Sequence, residues 1–516
     1  MTTLPALQND ADHEIFAPVP EHEIAKLVEE RHEKREYIDR LADVANGDGL
    51  EGVIEYFTTQ TRAASVANLF DRERAKKALD AQCWRRALRL TDIYDILPQE
   101  RRDEWDELID NRETPDFIEE NVGPTLSDLL AKRPKFMAER VDGLFRSLSG
   151  EHVTNSPWGF GKRMILAHVT DKYKMVNHSQ CGHINDLRAV IAKIEGRGKP
   201  PHGMTRDIIR RLREDTGTWY DLDGGAMRLR VYKKGTAHIE THPDMAWRLN
   251  AILAHLHPRA IPSEHREPPS KNNQTEVQIT QNLLPFEVLQ LIEEIGMEFN
   301  SVRLSSYRWS EADKHLRQRA IDVLKALGGV VDGAMVRFDY HPGAVIDHVL
   351  EVGAIPDDKS HQYYATPDDL AAAAVEWADI GPEHRCLEPS AGQGAIAEHM
   401  PDRTQCVEIS ELHAEVLRSK GFDVDCADFL EWLPSDGIWQ YPRIVMNPPY
   451  SEGRWQEHLR AAYDLLAPGG VLVAILPESA RGNAMLSKAD VEWSEPRSFP
   501  GVSIDVVMMR AEKGPR

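Results

Sequence analysis

The chain has 516 residues, enough for two or three domains, and a formal net charge of −22 at pH 7. That charge excludes indiscriminate binding of nucleic acid over the whole surface. No apolar run reaches the length of a membrane span, and the first 20 residues hold no signal-peptide core. Five cysteines without a C-x-x-C do not suggest a disulfide framework or a zinc knuckle, so no metal is expected, and the lack of an apolar span means that no membrane is expected either.

In chain order, residues 1–49 read as an arm followed by a charged, solvent-facing helix, Glu21 to Asn46. From 50 to 150 the pattern is helical, punctuated at Pro98, Pro115 and Pro124. Pro134 divides the apolar periodicity of Leu126 to Leu148 into a short helix and an amphipathic one. The texture then changes. Met227-Arg-Leu-Arg-Val-Tyr232 alternates apolar and basic residues, turns through Lys233-Lys234-Gly-Thr236 and returns as Ala237 to Glu240, a predicted β-hairpin. A helix over Pro243 to His255 follows. His178, Cys181 and His183 lie close in sequence, but such a trio in a loop is more often structural than a metal site.

Residues 50–261 thus form one expected domain, 262–275 a proline-containing linker, and 276–357 a small connecting module. That module has helices near 284–296 and 310–327 and a strand around Met335 to Phe338, and no repeat is evident. Charge is uneven. Residues 151–273 hold 20 Lys/Arg against 13 Asp/Glu, net +7, whereas 356–516 hold 14 against 27, net −13. The basic stretch is either a nucleic-acid contact or a solvated face. Its hairpin positions Arg228, Arg230, Lys233 and Lys234 are the candidate phosphate contacts.

Residues 358–516 carry the chemistry. Cys386-Leu-Glu-Pro-Ser-Ala-Gly-Gln-Gly-Ala395 reads as a strand, an acid (Glu388), then a loop with Gly392 and Gly394 opening a helix over Ala395 to Met400. Glycines there let backbone approach a ligand, although a lone G-x-G is weak evidence. Gln405 to Ile409 is a second strand ending at Glu408, where doubly wound folds bind a ribose diol. A third unit ends in Ala427-Asp428-Phe429. Ile444-Val-Met-Asn447-Pro448-Pro449-Tyr450 is an apolar strand stopped by two prolines, which fix two φ angles and remove two donors. The result is a stiff corner bearing an amide, free carbonyls and a ring. By itself this could be an ordinary turn. Four acid- or amide-bearing tips at strand–helix spacing are harder to dismiss.

Together these motifs resemble a class I S-adenosylmethionine (SAM)-dependent amino-methyltransferase of the gamma type, over about the last third of the chain. The resemblance implies an α/β, Rossmann-like domain at the C-terminus, behind a mainly helical α+β region. It implies SAM as cofactor. Tyr364, Thr366 and Pro367 resemble the segment holding its methionine end, and Glu388, Pro389, Ser390, Ala391, Gly392 and Gly394 the glycine loop. Glu408 with Ile409 resembles the ribose site, and Asp428 with Phe429 the adenine site. Asn447, Pro448, Pro449 and Tyr450 resemble the catalytic motif, with Asn447 also bordering the cofactor. Pro468-Gly-Gly-Val-Leu-Val-Ala-Ile-Leu-Pro477 resembles a later core strand. Residues 50–260 resemble a domain of unknown function found ahead of methyltransferase domains in phage and prophage proteins. The resemblance rests on Phe145-Arg-Ser-Leu-Ser149, Phe160-Gly-Lys-Arg163 and the Lys-Lys-Gly-Thr-x-His stretch ending at His238.

The expected function is N6 methylation of adenine in double-stranded DNA, with the base flipped out, by a phage or mobile-element enzyme in the cytoplasm of a bacterial host. Tyr450 would stack on the base. Phe499 would form the other wall, or else a core aromatic at a strand start. Arg443 and Arg454 flank the corner and would touch phosphate or face solvent. A C5-cytosine enzyme is excluded by the lack of a Pro-Cys dipeptide. The NPPY chemistry also suits methylation of RNA or of protein glutamine. A catalytically silent DNA mimic is the alternative from outside enzymology. Gamma enzymes often carry target recognition after the catalytic domain. This chain ends soon after its last expected strand, so recognition is expected from the basic stretch.

Overall fold

The computed structural model describes residues 21–45, 71–91, 93–148, 155, 158–161, 163–268, 281–357, 364–434, 437, 440–450, 453–481, 489–498 and 505–514. Phe499, the arm 1–20 and the second half of the expected linker, 269–275, lie outside the described residues. The chain divides into two units, residues 1–221 with 225–271 and residues 222–224 with 272–516.

The first unit begins with α1 (Glu21–Ala45), α2 (Arg72–Leu90), α3 (Gln99–Asp110), α4 (Glu119–Ala131) and α5 (Arg133–Ser147). The helix expected to face solvent is exposed along most of its length but also packs on one side. Leu27 and Ala42 of α1 are buried, and Arg31 meets Asp80 of α2 at 2.7 Å with both side chains almost fully covered. Losing Asp80 would leave the Arg31 charge buried, at a cost of about 3–5 kcal/mol. Trp84 is fully buried, its ring against Trp105 and Phe117, and its indole N–H donates to the Pro115 carbonyl at 2.8 Å. The break before Pro134 is as expected, with that proline opening α5 where no amide bond is lost. Pro124 instead sits inside α4 with its ring exposed.

Next come β1 (Arg163–Leu166), α6 (His178–Ile194), α7 (His202–Glu214), β2 (Tyr220–Leu222), β3 (Met227–Val231), β4 (Ala237–Thr241) and α8 (Pro243–Leu253). The strands form one sheet in the order β1-β4-β3-β2. The expected hairpin is β3–β4, with Arg228 opposite Glu240 and Arg230 opposite His238. Met227, Leu229 and Val231 point to the covered face and the arginines to the other, as the period of two requires.

The second unit opens with the connecting module: β5 (Gln281–Leu283), α9 (Phe286–Glu293), β6 (Gly296–Glu298), β7 (Ser301–Arg303), α10 (Lys314–Ala326), β8 (Val330–Asp332), β9 (Met335–Arg337), α11 (Gly343–Val352) and β10 (Ala354–Pro356). It contains the repeat that was not evident in sequence. Each copy is a helix followed by a hairpin, and the sheet order is β6-β7-β9-β8. Val302 faces Val336 at its centre, Ser301 pairs with Arg337, and Arg303 with Met335. Within each hairpin the same ion pair recurs, Arg303 with Glu298 and Arg337 with Asp332.

The rest comprises α12 (Asp368–Trp377), β11 (Cys386–Pro389), β12 (Thr404–Glu408), α13 (Glu411–Lys420), β13 (Asp423–Cys426), β14 (Tyr441–Met446), α14 (Arg454–Asp464), β15 (Leu466–Pro477), β16 (Ala489–Trp493), β17 (Arg497–Ser498) and β18 (Asp505–Lys513). The main path of their sheet is β13-β12-β11-β14-β15-β18-β16, parallel through β15 and antiparallel at β18. This is a doubly wound, Rossmann-like order, with its reversal between β11 and β14. Both faces are covered, which is why these strands read as unbroken apolar runs. Ile444, Met446, Leu472, Ala474 and Leu476 pack with Trp455 and Leu459 of α14. Val445, Val471, Val473 and Ile475 pack on the opposite face with Leu370, Ala371 and Ala374 of α12.

Candidate active site

In such sheets ligands bind outside the carboxyl ends of the strands, beside the reversal. Those ends carry the residues singled out in sequence: Glu388 and Pro389 on β11, Glu408 on β12, Asp428 beyond β13 and Asn447 beyond β14.

After β11 the chain turns through Ser390 at φ 70° and folds over the end of β12. The Ser390 and Ala391 amides both donate to the Val407 carbonyl, at 2.8 and 3.0 Å. Gly394 takes φ 91°, a backbone angle that favours glycine, and a Cβ there would lie 2.9 Å from the tip of the Leu417 side chain. The helix expected over Ala395 to Met400 is only a single 3₁₀ turn, Ala397–His399, with Pro401 just beyond it. The Ser390, Ala391, Gly392 and Gly394 amides of the loop all donate within the protein, and no long helix N-terminus follows them.

Glu408 is buried, and its two oxygens accept separately, from the Gly392 amide and the Ser410 amide, both at 2.8 Å. It thereby ties the glycine loop to the end of β12. Ile409 follows at the strand's end. Glu388 is also buried. Burial first, then the Glu408 and Glu398 charges, push its carboxyl well above the usual range, against a bond from the Ala397 backbone. Its Oε2 has no hydrogen-bond partner among the described residues. A buried carboxyl oxygen without a donor fits a ligand that brings its own N–H or O–H.

Asp428 does not stand free. Its carboxylate receives Arg454 at 2.9 and 3.1 Å and the Leu430 amide at 3.0 Å. Arg454 is thus paired with an acid at a neighbouring strand end. Arg443 is likewise engaged, donating to the Asp379 carbonyl at 2.9 Å. Phe429 is buried against Trp432 and His458, with ring centroids 6.2 and 5.4 Å away.

At the proline corner, Asn447 is fixed at both ends. Its Nδ2 donates to Thr366 Oγ1 at 3.1 Å, and its Oδ1 accepts from the Tyr450 hydroxyl at 2.9 Å. Thr366 and Pro367 precede α12, so the segment ahead of the glycine loop closes onto the corner. Tyr364 is partly exposed beside them. Pro448 is buried and Pro449 half-buried. Tyr450 is half-buried, packs against both apolar cores, and donates to the Ile475 carbonyl at 3.4 Å. Burial pushes its phenol up, so it remains a neutral donor.

One residue of this region was missed in sequence. His458 of α14 is buried, with Nδ1 3.2 Å from Ser390 Oγ and Nε2 without a hydrogen-bond partner among the described residues. Burial, reinforced by Arg454, lowers it to about 4, so it is a neutral imidazole near pH 7. Its place on the apolar stripe Trp455, Leu459, Ala462 was the available signal.

Of the hairpin cations, Arg228 pairs with Asp221 at 2.9 Å, and Arg230 lies over Trp219 at 4.4 Å and Tyr232 at 5.0 Å. Lys233 and Lys234 are exposed. Among the described residues no His/Cys/Asp/Glu group could hold a metal, and no helix is long and apolar enough to cross a membrane.

A family of unknown function, DUF4942, matches residues 76–259. No curated protein matches the chain. Among solved structures it is similar to a putative RNA methyltransferase from Pyrococcus horikoshii, at 18% identity over 30% of this chain and 89% of that one, TM-score 0.25. It is also similar to TrmN from Thermus thermophilus, at 19% identity over 39% and 68%, TM-score 0.24. A third is a predicted O-methyltransferase from Agrobacterium tumefaciens, at 22% identity over 28% and 81%, TM-score 0.22. These scores are low, and what the chain does rests on the residues of its own cleft.

Proposed function

We propose that the second unit transfers a methyl group from SAM to the N6 amine of adenine in DNA. The observation that carries this is Asn447, held at the end of β14 between Thr366 and Tyr450, beside three acids on neighbouring strand ends.

The amine of adenine is a poor nucleophile because its lone pair is delocalised into the ring. Two acceptors that take both amine hydrogens draw the nitrogen towards a tetrahedral form and free the lone pair. Asn447 Oδ1 and the Pro448 carbonyl are those acceptors. Thr366 and the Tyr450 hydroxyl set the amide's plane in advance, so little reorganisation is needed in the transition state. SAM supplies a methyl group already activated by its sulfonium. Orienting the amine in line with it is the protein's main contribution.

The cofactor's partners would be Glu408 for the ribose hydroxyls, the unpartnered Glu388 oxygen for an N–H or O–H of its methionine end, and Asp428 for the adenine amine. Asp428 would have to share or exchange its Arg454 contact. The Tyr364 to Pro367 segment and the glycine loop would line the rest. A base in duplex DNA must leave the helix to reach the corner, where the open part of Tyr450 would meet it.

The test is transfer of a labelled methyl from SAM to three acceptors offered separately: duplex DNA, RNA and total protein. Label in DNA is expected. Label in RNA or protein alone would keep the chemistry and overturn the substrate, and label in none would overturn the enzymatic reading.

A further inference from the structure

The hairpin cations of the first unit do not act as one group. Arg228 has a carboxylate partner, and so does Arg163 of β1, which pairs with Glu240. The free charge sits at the end of the sheet, where two loops lie side by side. One is the β3–β4 turn, closed by Gly235 at φ 80°, whose amide donates to the Tyr232 carbonyl at 2.9 Å. The other is the loop after β1, bridged between Thr170 and Val176. The Gly235 carbonyl accepts from the Val169 amide at 2.7 Å, and a Cβ on Gly235 would lie 2.0 Å from the Thr170 carbonyl. The loops are therefore locked together. Arg213 anchors the turn from beneath, donating to the Lys233 carbonyl at 2.8 Å.

Locked this way, they present Lys172, Lys174, Lys233 and Lys234, all exposed. Tyr173 and Met175 stand among them at 72% and 68% exposure. The only acid in either loop is Asp171, whose Oδ1 accepts from the Tyr173 and Met175 amides, both at 2.8 Å. Among the described residues none of the four lysines meets a carboxylate. The two loops thus set four lysines against one acid, in a chain of net charge −22.

We propose that this two-loop tip docks the sugar–phosphate backbone of duplex DNA. The lysines would contact phosphates, and Tyr173 and Met175 would lie against the sugars. Lysine is a mobile point charge without the fork that reads a guanine edge, so the contact positions the duplex without reading its sequence. The choice of DNA rests on the function proposed above; the cationic tip does not.

The experiment uses the full chain, a labelled duplex of arbitrary sequence and a salt series, without SAM. Each lost phosphate contact lowers the log–log salt slope by about 0.9, so changing all four lysines to Gln should lower it by about 3 to 4. Arg163→Gln, whose guanidinium is already paired, should change the slope by less than about one. Tyr173→Ala should weaken binding with the slope intact. Superimposable salt plots for wild type and the four-lysine variant overturn the proposal. So does binding of duplex RNA or polyglutamate as tight as that of duplex DNA. A wild type that shows the lysine-dependent slope but transfers no methyl keeps the docking surface and sinks the enzymatic reading. Transfer to DNA with no lysine effect does the reverse.

Discussion

Replacing Asn447 by Ala removes one of the two proposed amine acceptors and both tethers of the corner, to Thr366 and to Tyr450. The groups are half-exposed, so water replaces much of what is lost, and each bond is worth about 0.5–1.5 kcal/mol at most. Folding should therefore survive. Loosening Thr366 touches the cofactor's side of the cleft, and SAM affinity should fall by no more than about tenfold, or about 1.4 kcal/mol. Turnover should fall much further. A preorganised polar group aimed at charge developing in a transition state is typically worth about 100- to 1000-fold, or about 3–4 kcal/mol. Calorimetric titration with SAM and single-turnover transfer to saturating DNA separate the two effects. Turnover within a few-fold of wild type in folded Asn447→Ala would refute the role given to this amide.

Glu408→Ala should weaken SAM binding by at least about 100-fold, since hydrogen bonds to a charged group contribute about 1.5–3 kcal/mol each. It also releases the Gly392 and Ser410 amides; calorimetry against Tyr450→Phe, expected to change affinity little, checks the order. Glu388→Gln should stabilise the cofactor-free protein yet weaken SAM. The folded carboxyl sits above its unfolded value, so stability is lost as pH rises from about 4.3 towards the folded pKa, by about 1.4 kcal/mol for each pH unit crossed. Thermal melts of both proteins between acid and neutral pH should diverge upward in pH. His458 has the opposite sign. Its folded pKa is lowered to about 4, so its stabilisation is complete above about 6.5 and is lost as pH falls, up to about 3 kcal/mol. His458→Gln should flatten the acid limb of the melting profile, and an unchanged limb would mean the ring is not buried as described.

The strands of the second unit were legible because they are covered on both faces and leave apolar runs that end at informative residues. Ile444 to Met446 stops at Asn447 because two prolines cannot continue a ladder. The short turn after Gly394 was less legible, since Ala395 to Met400 has helical composition but too few residues before Pro401. Pairings set by the fold were invisible: Asp428 with Arg454, Arg31 with Asp80, and the hold of Thr366 on Asn447 join segments whose meeting no local pattern encodes. The hairpin repeat was hidden for another reason. Its copies share little beyond Val302 with Val336 and Arg303 with Arg337, positions fixed by the central pairing. In the basic stretch, composition located the charge but not its neutralisation. Arg228 and Lys234 look alike in sequence and differ only because Asp221 reaches one of them.

Nucleoside mass analysis tests the central claim most directly. DNA from cells expressing the wild-type chain and the Asn447→Ala variant would be digested and analysed alongside RNA from the same cells. N6-methyladenine should appear in DNA with the wild type and be absent with the variant. Methylated adenine confined to RNA, or equal levels in DNA from both strains, would contradict the account.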